Sequence, residues 1–236
     1  MSTLAVISGK GGAGKTVTSI NLALALAGRR RSTVLVDTNL TTPHVGIHLG
    51  SPNNPVDLHD IISGHKHVRH GLYIHRSGLR VVPADLSFRT LEDHHADMLG
   101  NVISTLSGAH EFVILDGPNG FGKDFHAVVR SADNVLVVTN PELSAVTGAL
   151  KAIRSAEMHN SEVAGVVLNR VKNDRHDLSV SEVEELIGKK VSVVIPEDDA
   201  VRDSIRSRNP LISSYPKARS ALGFAGLADN LARRRY

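Results

Sequence analysis

One short glycine-rich segment constrains the fold of this chain more than any other feature. It fits the pattern G-x-x-x-x-G-K-[ST] and reads Gly9-Lys10-Gly11-Gly12-Ala13-Gly14-Lys15-Thr16. Glycines let backbone amides curl around phosphate groups, and a helix that starts at the loop directs its positive dipole end at them. Lys15 supplies a positive charge, and Thr16 offers a hydroxyl to Mg²⁺. The segment therefore predicts a phosphate-binding loop between a strand and a helix.

Short aliphatic runs alternate with segments of helical period along the chain. The predicted strands are Thr3–Ser8, Ser32–Val36, Leu79–Pro83, Phe112–Leu115, Asn134–Thr139, Val163–Leu168 and Val191–Ile195. Three predicted helices each have an apolar stripe. The first consists of Ile20, Ala23, Leu24 and Ala27 and ends at Gly28. The second consists of Leu91, Met98, Leu99, Val102, Ile103 and Leu106, and the third of Val146, Leu150 and Ile153. Nearly continuous Val, Ile and Leu is typical of strands that are buried on both faces. We therefore predict one α/β domain over residues 1–236, with a doubly wound, mainly parallel sheet and helices on both faces.

Composition excludes several kinds of site. The 236 residues contain no cysteine, which excludes disulfides, cysteine nucleophiles and cysteine-held metal or iron–sulfur centres. Five Phe, three Tyr and no Trp argue against stacking platforms for single-stranded nucleic acid, and a formal charge of +3 is too small to indicate a nucleic-acid partner. No apolar run approaches the length of a membrane span, and the first residues lack a basic leader, so we expect a cytoplasmic protein.

The segment over residues 51–75 is richer in Pro, Gly and His than the rest of the chain. We expect an irregular surface excursion from the sheet, with histidines at positions His59, His65, His67, His70 and His75. His65 and His67 could share a strand face and bind a metal, but no carboxylate or sulfur set stands at a recognisable spacing. Surface histidines that could recognise a partner in a pH-sensitive way are therefore the preferred interpretation.

The glycine-rich loop also carries a family resemblance. The sequence from Lys10 to Thr16 resembles the deviant Walker A loop, K-G-G-x-G-K-[ST]. That loop has an extra lysine near its start and is typical of the MinD/ParA group of ATPases. The resemblance covers nearly the whole chain and implies a P-loop NTPase fold. The other segments that carry it are Val34-Leu35-Val36-Asp37 before switch I, Ile114-Leu115-Asp116-Gly117-Pro118-Asn119-Gly120 at switch II, and the MinD-like segments Thr139-Asn140-Pro141-Glu142 and Ile195-Pro196-Glu197-Asp198.

The resemblance implies ATP or ADP with Mg²⁺ as cofactors. In that family ATP is sandwiched between two subunits, so it implies an ATP-dependent homodimer in which Lys10 acts in trans on the partner's nucleotide. It also implies a metal site at Thr16, Asp37 and Asp116. Without the resemblance, Lys10 is one more exposed basic residue, and each Asp is a helix or turn cap.

The resemblance further implies an adenine-recognising residue at Asn169, whose amide carries both a donor and an acceptor. The alternative is a turn residue that closes a strand. The residues expected to bind the nucleotide are Gly9, Lys10, Gly11, Gly12, Ala13, Gly14, Lys15, Thr16, Val17, Asn169, Arg170, Pro196, Glu197 and Asp198. Catalytic roles are assigned to Lys10, Lys15 and Asn39.

Switch I departs from the family pattern, which usually reads D-x-D and uses the second Asp to position or deprotonate the attacking water. This chain has Asn39 there, and an amide can orient water but cannot accept its proton. Our hypothesis is a slow ATPase with a long-lived ATP state. Further departures are Val17, which removes a hydroxyl contact to the α-phosphate, Asn119, which would offer an amide beside the γ-phosphate, and His44.

The carboxyl-terminal third has a basic bias. Its basic residues are Arg202, Arg206, Arg208, Lys217, Arg219 and Arg233-Arg234-Arg235. They would suit nonspecific DNA binding, but a solvated helix face is the preferred interpretation. The final helix is predicted over Lys217–Ala232, and its core-facing side is assigned to Leu222, Ala225, Leu227 and Leu231. Since no separate apolar face remains for lipid, we expect no autonomous membrane anchoring.

Together these features predict a MinD-like, Mg²⁺-dependent ATPase that dimerises on ATP and positions or regulates an unknown partner protein, in cell division or at a cell pole. Recruitment to a membrane or pole would then go through that partner. The alternatives are a ParA-like, ATP-dependent partitioning protein that binds DNA nonspecifically, and a nearly inactive ATP-binding adaptor. A metabolic ligase or synthetase of the same fold is disfavoured by the extra lysine.

Overall fold

The computed structural model describes residues 2–51, 54–85, 95–172 and 174–233, which form an eight-stranded sheet covered by helices. The strands are β1 (Ser2–Ile7), β2 (Thr33–Asp37), β3 (Tyr73–Ile74), β4 (Arg80–Val82), β5 (Phe112–Asp116), β6 (Asn134–Thr139), β7 (Glu162–Val171) and β8 (Val191–Pro196). Their order in the sheet is β3-β4-β2-β5-β1-β6-β7-β8. All neighbours are parallel except β3 and β4, which are antiparallel.

The helices connect these strands. They are α1 (Lys15–Gly28), α2 (Val45–His48), α3 (Leu58–Ile62), α4 (Val68–Gly71), α5 (His95–Ser107), α6 (Lys123–Arg130), α7 (Leu143–Met158), α8 (Val180–Ile187), α9 (Asp199–Arg206), α10 (Leu211–Ser214) and α11 (Arg219–Arg233). Within the described residues, no helix combines the length and the apolar content that a membrane crossing requires.

Two hydrophobic cores lie on opposite faces of the sheet, because side chains alternate along each strand. In β1, Ala5 and Ile7 belong to the core that is covered by α3 to α8, whereas Leu4 and Val6 belong to the core that is covered by α1, α2, α10 and α11. The prediction of a doubly wound, mainly parallel sheet with helices on both faces is confirmed.

Each predicted strand corresponds to a strand of the structure; β6 has the predicted bounds, and the other strands have shifted ends. The largest shift is in β7, which continues three residues past the predicted end at Leu168 to Val171. The edge strand β3 was not predicted, because two residues are too few to show a pattern. Leu91 of the second apolar stripe lies outside the described residues, while Leu99, Val102, Ile103 and Leu106 of α5 are buried as expected.

The described residues 54–75 are less irregular than predicted, since they contain α3, α4 and β3. Asp57 caps α3 by accepting hydrogen bonds from the backbone amides of His59 (2.7 Å) and Asp60 (3.1 Å). The expectation of surface histidines is wrong for His59 and His75, which are buried. The ring of His75 pairs through Nε2 with the Leu49 carbonyl (2.9 Å) and through Nδ1 with Ser77 Oγ (2.7 Å). His65, His67 and His70 are exposed, as expected.

The predicted core-facing side of helix α11 is confirmed for Leu227 and Leu231, which are buried, and is wrong for Leu222, while Ala225 is partly buried. Leu222 is 60% exposed, whereas Phe224 is fully buried. Phe224 lies on the buried side of the helix together with Ala221, Leu227 and Leu231.

Candidate nucleotide-binding site

The glycine-rich loop joins the end of β1 to the start of α1, as predicted. Gly12 (φ 78°) and Gly14 (φ 102°) both have left-handed backbone conformations that favour glycine. Gly9 packs against the backbone of α7, and a Cβ on Gly9 would lie 2.0 Å from the carbonyl carbon of Gly148. A Cβ on Gly14 would lie 2.1 Å from the side-chain nitrogen of Asn169. These close contacts fix the path of the loop.

Two buried carboxylates lie side by side at the carboxyl end of the sheet, because Asp37 is paired in register with Asp116. Burial raises the pKa of Asp37 well above its usual value, and the charge of Asp116 raises it further. Burial also raises the pKa of Asp116, against the hydrogen bonds from Thr16 and Ser19 and the charge of Lys15. The pair therefore favours positive charge nearby.

Asp116 contacts the first turn of α1. Its carboxylate accepts hydrogen bonds from Thr16 Oγ1 (2.7 Å) and Ser19 Oγ (2.8 Å). Ser19 was not predicted, since nothing in the motif marks it. In the described residues no cluster of three or more His, Cys, Asp or Glu could hold a metal ion. The oxygens of Thr16 and Asp116 nevertheless fit Mg²⁺, which typically binds one or two protein oxygens together with phosphate oxygens and water.

Asp37 organises the segment that follows β2. Its carboxylate accepts hydrogen bonds from the backbone amides of Asn39 (3.2 Å), His44 (3.1 Å) and Val45 (3.0 Å). This is the capping role that the residues alone allowed, and a contribution to the metal shell stays a prediction. The switch segments are also joined directly, because Thr38 donates to the Asp116 carbonyl through its amide (3.1 Å) and its hydroxyl (2.7 Å).

The ammonium of Lys15 is buried at the centre of the loop. It donates to Ser8 Oγ (3.1 Å) and to the side-chain oxygen of Asn119 (2.7 Å). Burial lowers the pKa of Lys15, and the charge of Asp116 opposes this shift. Lys15 therefore stands where its charge is poorly hydrated and readily available to an anion.

Asn39 holds a turn of switch I. Its side chain donates to the Thr42 carbonyl (2.6 Å) and accepts from the Thr42 amide (3.3 Å) and hydroxyl (3.2 Å). Asn39 also lines the cleft beside the loop. Its predicted catalytic role stays a prediction.

A cleft of about 330 Å³ runs from the loop to α9 and α11. Its lining includes the predicted residues Gly12, Gly14, Lys15, Thr16, Val17, Asn39, Asn169, Arg170, Pro196, Glu197 and Asp198. The other lining residues are His44, His48, Asn119, Val201, Arg202, Ile205 and Phe224, of which the sequence analysis had named only Asn119 and His44, as departures from the family pattern, and Arg202, as part of the basic bias. No motif marks most of these, because only the packing of α2, α9 and α11 brings them to the cleft.

Asn169 anchors the loop at the far side of the cleft. Its side-chain nitrogen donates to the Ala13 carbonyl (2.8 Å), and Asn140 donates to the Asn169 carbonyl (3.0 Å). One N–H of the Asn169 amide donates to Ala13, and the side-chain oxygen is the group that can accept a hydrogen bond from a ligand.

Charged residues flank this end of the cleft. Glu197 pairs with Arg170 (3.2 Å) and Arg202 (3.1 Å), and Arg170 also reaches the Gly12 carbonyl (3.3 Å). The Asp198 carboxylate serves the fold, since it caps α9 at the amide of Ala200 and accepts from the Ser220 hydroxyl. Asp198 therefore contributes a wall rather than a free acceptor.

Lys10 does not line the cleft. Its ammonium lies 2.5 Å from the carboxylate of Glu142 in the same chain, and both side chains are about half exposed. The trans role that the resemblance implies for Lys10 stays a prediction.

A glycine-rich loop at the carboxyl end of a central parallel strand, with a lysine and a threonine at the start of the next helix, defines a P-loop nucleotide-binding protein. Sequence comparison gives the family. The model of the CobQ/CobB/MinD/ParA nucleotide-binding domain matches residues 4–211, and the chain belongs to this family.

Individual relatives agree over nearly the full length. An uncharacterized ATP-binding protein of Methanocaldococcus jannaschii is 32% identical over 233 residues, covering 99% of this chain and 88% of the relative. The cell division ATPase MinD of Pyrococcus furiosus is 29% identical with a TM-score of 0.92, covering 98% of each chain. MinD of Pyrococcus horikoshii, solved in complex with Mg-ADP, is 26% identical with a TM-score of 0.92, covering 98% of this chain and 96% of that one. Its ligand agrees with the cofactors predicted from the sequence.

Proposed function

We propose that this protein is a Mg²⁺-dependent ATPase that works as a slow molecular switch. ATP would bring two copies together, and the dimer would position or regulate a partner protein. The observation that carries the proposal is the cluster at the start of α1, where Thr16 contacts Asp116 (2.7 Å) beside the buried ammonium of Lys15. The likeness to the cell division ATPase MinD of Pyrococcus furiosus supports a positioning role.

Different residues of the site would bind the phosphates, the metal ion and the base of a nucleotide. The loop amides and Lys15 would bind the phosphates, and Thr16 and Asp116 would hold Mg²⁺. When bound, the ion neutralises the charge of the phosphate oxygens. The side-chain oxygen of Asn169 would accept a hydrogen bond from the amino group of adenine, which guanine lacks at that position.

Binding is tested with Lys15→Gln, which removes the buried charge but keeps a polar side chain. We expect wild type to bind ADP and ATP with Mg²⁺ in calorimetry and Lys15→Gln to lose at least tenfold in affinity, because charge-assisted contacts to phosphate are strong. Lys151→Gln on the exposed surface of α7 is the matched control. Equal affinities in all three proteins would contradict the site.

Slow turnover follows from Asn39, whose amide cannot take a proton from water. We expect Asn39→Asp to raise steady-state phosphate release about tenfold or more above wild type. Because this change also alters the contacts to Thr42, Thr42→Ala is measured beside it and should not accelerate turnover. Equal rates in wild type and Asn39→Asp would refute the slow-switch hypothesis.

Dimerisation is measured by light scattering, with and without ATP and Mg²⁺. We expect the mass to double only with ATP, and Lys10→Ala to reduce this response, since the proposal places Lys10 at the partner's nucleotide. A monomer under all conditions would count against the switch.

A further inference from the structure

The side chain of Asn119 lies between the loop lysine and switch I. Its oxygen accepts a hydrogen bond from Lys15 Nζ (2.7 Å), and its nitrogen is 3.5 Å from Thr42 Oγ1, at the outer limit of a hydrogen bond. Thr42 is held in turn by Asn39. A contact path therefore runs from the phosphate loop through Asn119 to the turn of switch I.

Two glycines determine where Asn119 stands. The amide of Gly117 donates to the Val6 carbonyl (3.0 Å), and a Cβ on Gly117 would lie 2.6 Å from that oxygen. Gly120 has a left-handed backbone (φ 79°). The turn between them is thus held against β1, beside the loop. The backbone of this turn determines the position of Asn119.

The contact matters because Lys15 is only 6% exposed. A buried ammonium needs acceptors, and among the residues that the structure describes Lys15 contacts the hydroxyl of Ser8 and the amide oxygen of Asn119. The Asn119 contact is the shorter one. A phosphate group would supply charged oxygens to the same ammonium, so phosphate and Asn119 compete for it.

We propose that Asn119 is a positioning residue that holds the Lys15 ammonium and must release it when a phosphate group binds there. Asn119 thereby lowers the affinity for nucleotide and links the occupation of the loop to switch I through Thr42. This inference rests on the proposed nucleotide site and names how that site is regulated.

The test uses Mg²⁺ and ADP, which has no γ-phosphate for Asn119 to contact. Asn119→Ala removes the competing acceptor, so we expect ADP to bind about tenfold more tightly in calorimetry. Asn119→Asp places a carboxylate beside the ammonium, so we expect ADP to bind at least tenfold more weakly. Asn101→Ala, an exposed substitution on α5, should leave the affinity unchanged. A purely structural role would not give opposite shifts.

Thermal unfolding gives a second readout. Without nucleotide, Asn119→Ala should unfold a few degrees below wild type, because Lys15 loses an acceptor. With saturating Mg²⁺ and ADP the two midpoints should converge, because the phosphate then satisfies Lys15 in both proteins. A difference that persists with ADP would overturn the inference.

The outcomes separate the two proposals. If wild type binds ADP, Lys15→Gln does not, and Asn119→Ala binds as wild type does, the inference fails and the proposed function stands. If wild type itself does not bind ADP, both fail.

Discussion

Lys10 and Glu142 form an ion pair within one chain, with 2.5 Å between the ammonium and a carboxylate oxygen. The residues stand at opposite sides of a backbone contact, one in the glycine-rich loop and the other directly before α7. Because both side chains are about half exposed, the pair contributes at most about 1 kcal/mol to stability. Breaking the contact of Lys10 with Glu142 therefore costs little, as the proposed role of Lys10 in an ATP-dependent dimer requires.

Removing the carboxylate of Glu142 should favour formation of the proposed dimer. We expect Glu142→Gln to change the free energy of unfolding by less than about 1 kcal/mol and to lower the ATP-dependent dimer dissociation constant about two- to fivefold, because no ion pair has to be broken first. Sedimentation at several protein concentrations measures the constant. Glu157→Gln is the matched control, since Glu157 forms a similar exposed pair with Lys189 at the other end of α7. A dimer that weakens only in Glu142→Gln would show that Glu142 belongs to the interface.

The contact between Gly9 and Gly148 should tolerate no side chain. A Cβ on Gly9 would lie 2.0 Å from the Gly148 backbone, so we expect Gly9→Ala to lower the thermal midpoint by more than about 5 °C. Gly11→Ala is the control, because a Cβ there meets nothing within 4 Å. Differential scanning calorimetry measures both. Equal midpoints in the two variants would mean that the loop does not pack on α7 in solution.

Asn169 should determine the choice of base. We expect Asn169→Ala to reduce the preference for ATP over GTP about tenfold, because the side-chain oxygen that would accept from adenine is lost. Competition between the two nucleotides for a fluorescent analogue measures the preference. Wild type should show a clear preference under the same conditions. An unchanged ratio with weaker binding of both nucleotides would assign Asn169 only to the loop, through Ala13.

His48 should make the fold sensitive to acid. Burial, together with the charge of His44, lowers the pKa of His48 from 6.5 to about 4. As the pH falls below 6.5 the unfolded chain takes up a proton that the folded chain does not, so the unfolding free energy decreases until the pH reaches about 4.

Urea denaturation at pH 7.5 and pH 5 tests this linkage. Between pH 7.5 and pH 5 the unfolding free energy should fall by up to about 2 kcal/mol less in His48→Gln than in wild type. Substitution of the exposed His65 should leave the loss unchanged. The same loss in His48→Gln and wild type would place the acid sensitivity at other groups.

Residues whose positions follow from local pattern were predictable from the sequence. Lys15, Thr16 and Asp116 stand where the motif and the end of a buried strand place them, and the structure brings them together. The family and the doubly wound sheet followed from the same signals. Asn169 was assigned to the site only through the resemblance, since a turn residue after a strand has many uses, and its role toward adenine stays a prediction.

Roles that depend on long-range packing were not predictable. Nothing near Leu222 shows that it would be exposed while Phe224 is buried, and nothing near His59 shows that α3 would bury it. His48 lies in α2, whose first residues are held by hydrogen bonds to Asp37, and only the packing of this helix brings it to the cleft. The partner of Lys10 in the same chain is 132 residues away, beyond the reach of any local pattern.

The backbone contact between Gly9 and Gly148 also limits how sequences with this geometry can diverge. A side chain at either position would force the loop and α7 apart, since a Cβ on Gly148 would itself lie 2.9 Å from the Gly9 carbonyl carbon. The residue types allowed at these two positions therefore depend on each other. In an alignment of chains that retain this loop, a larger residue at one site should appear only with a rebuilt helix at the other.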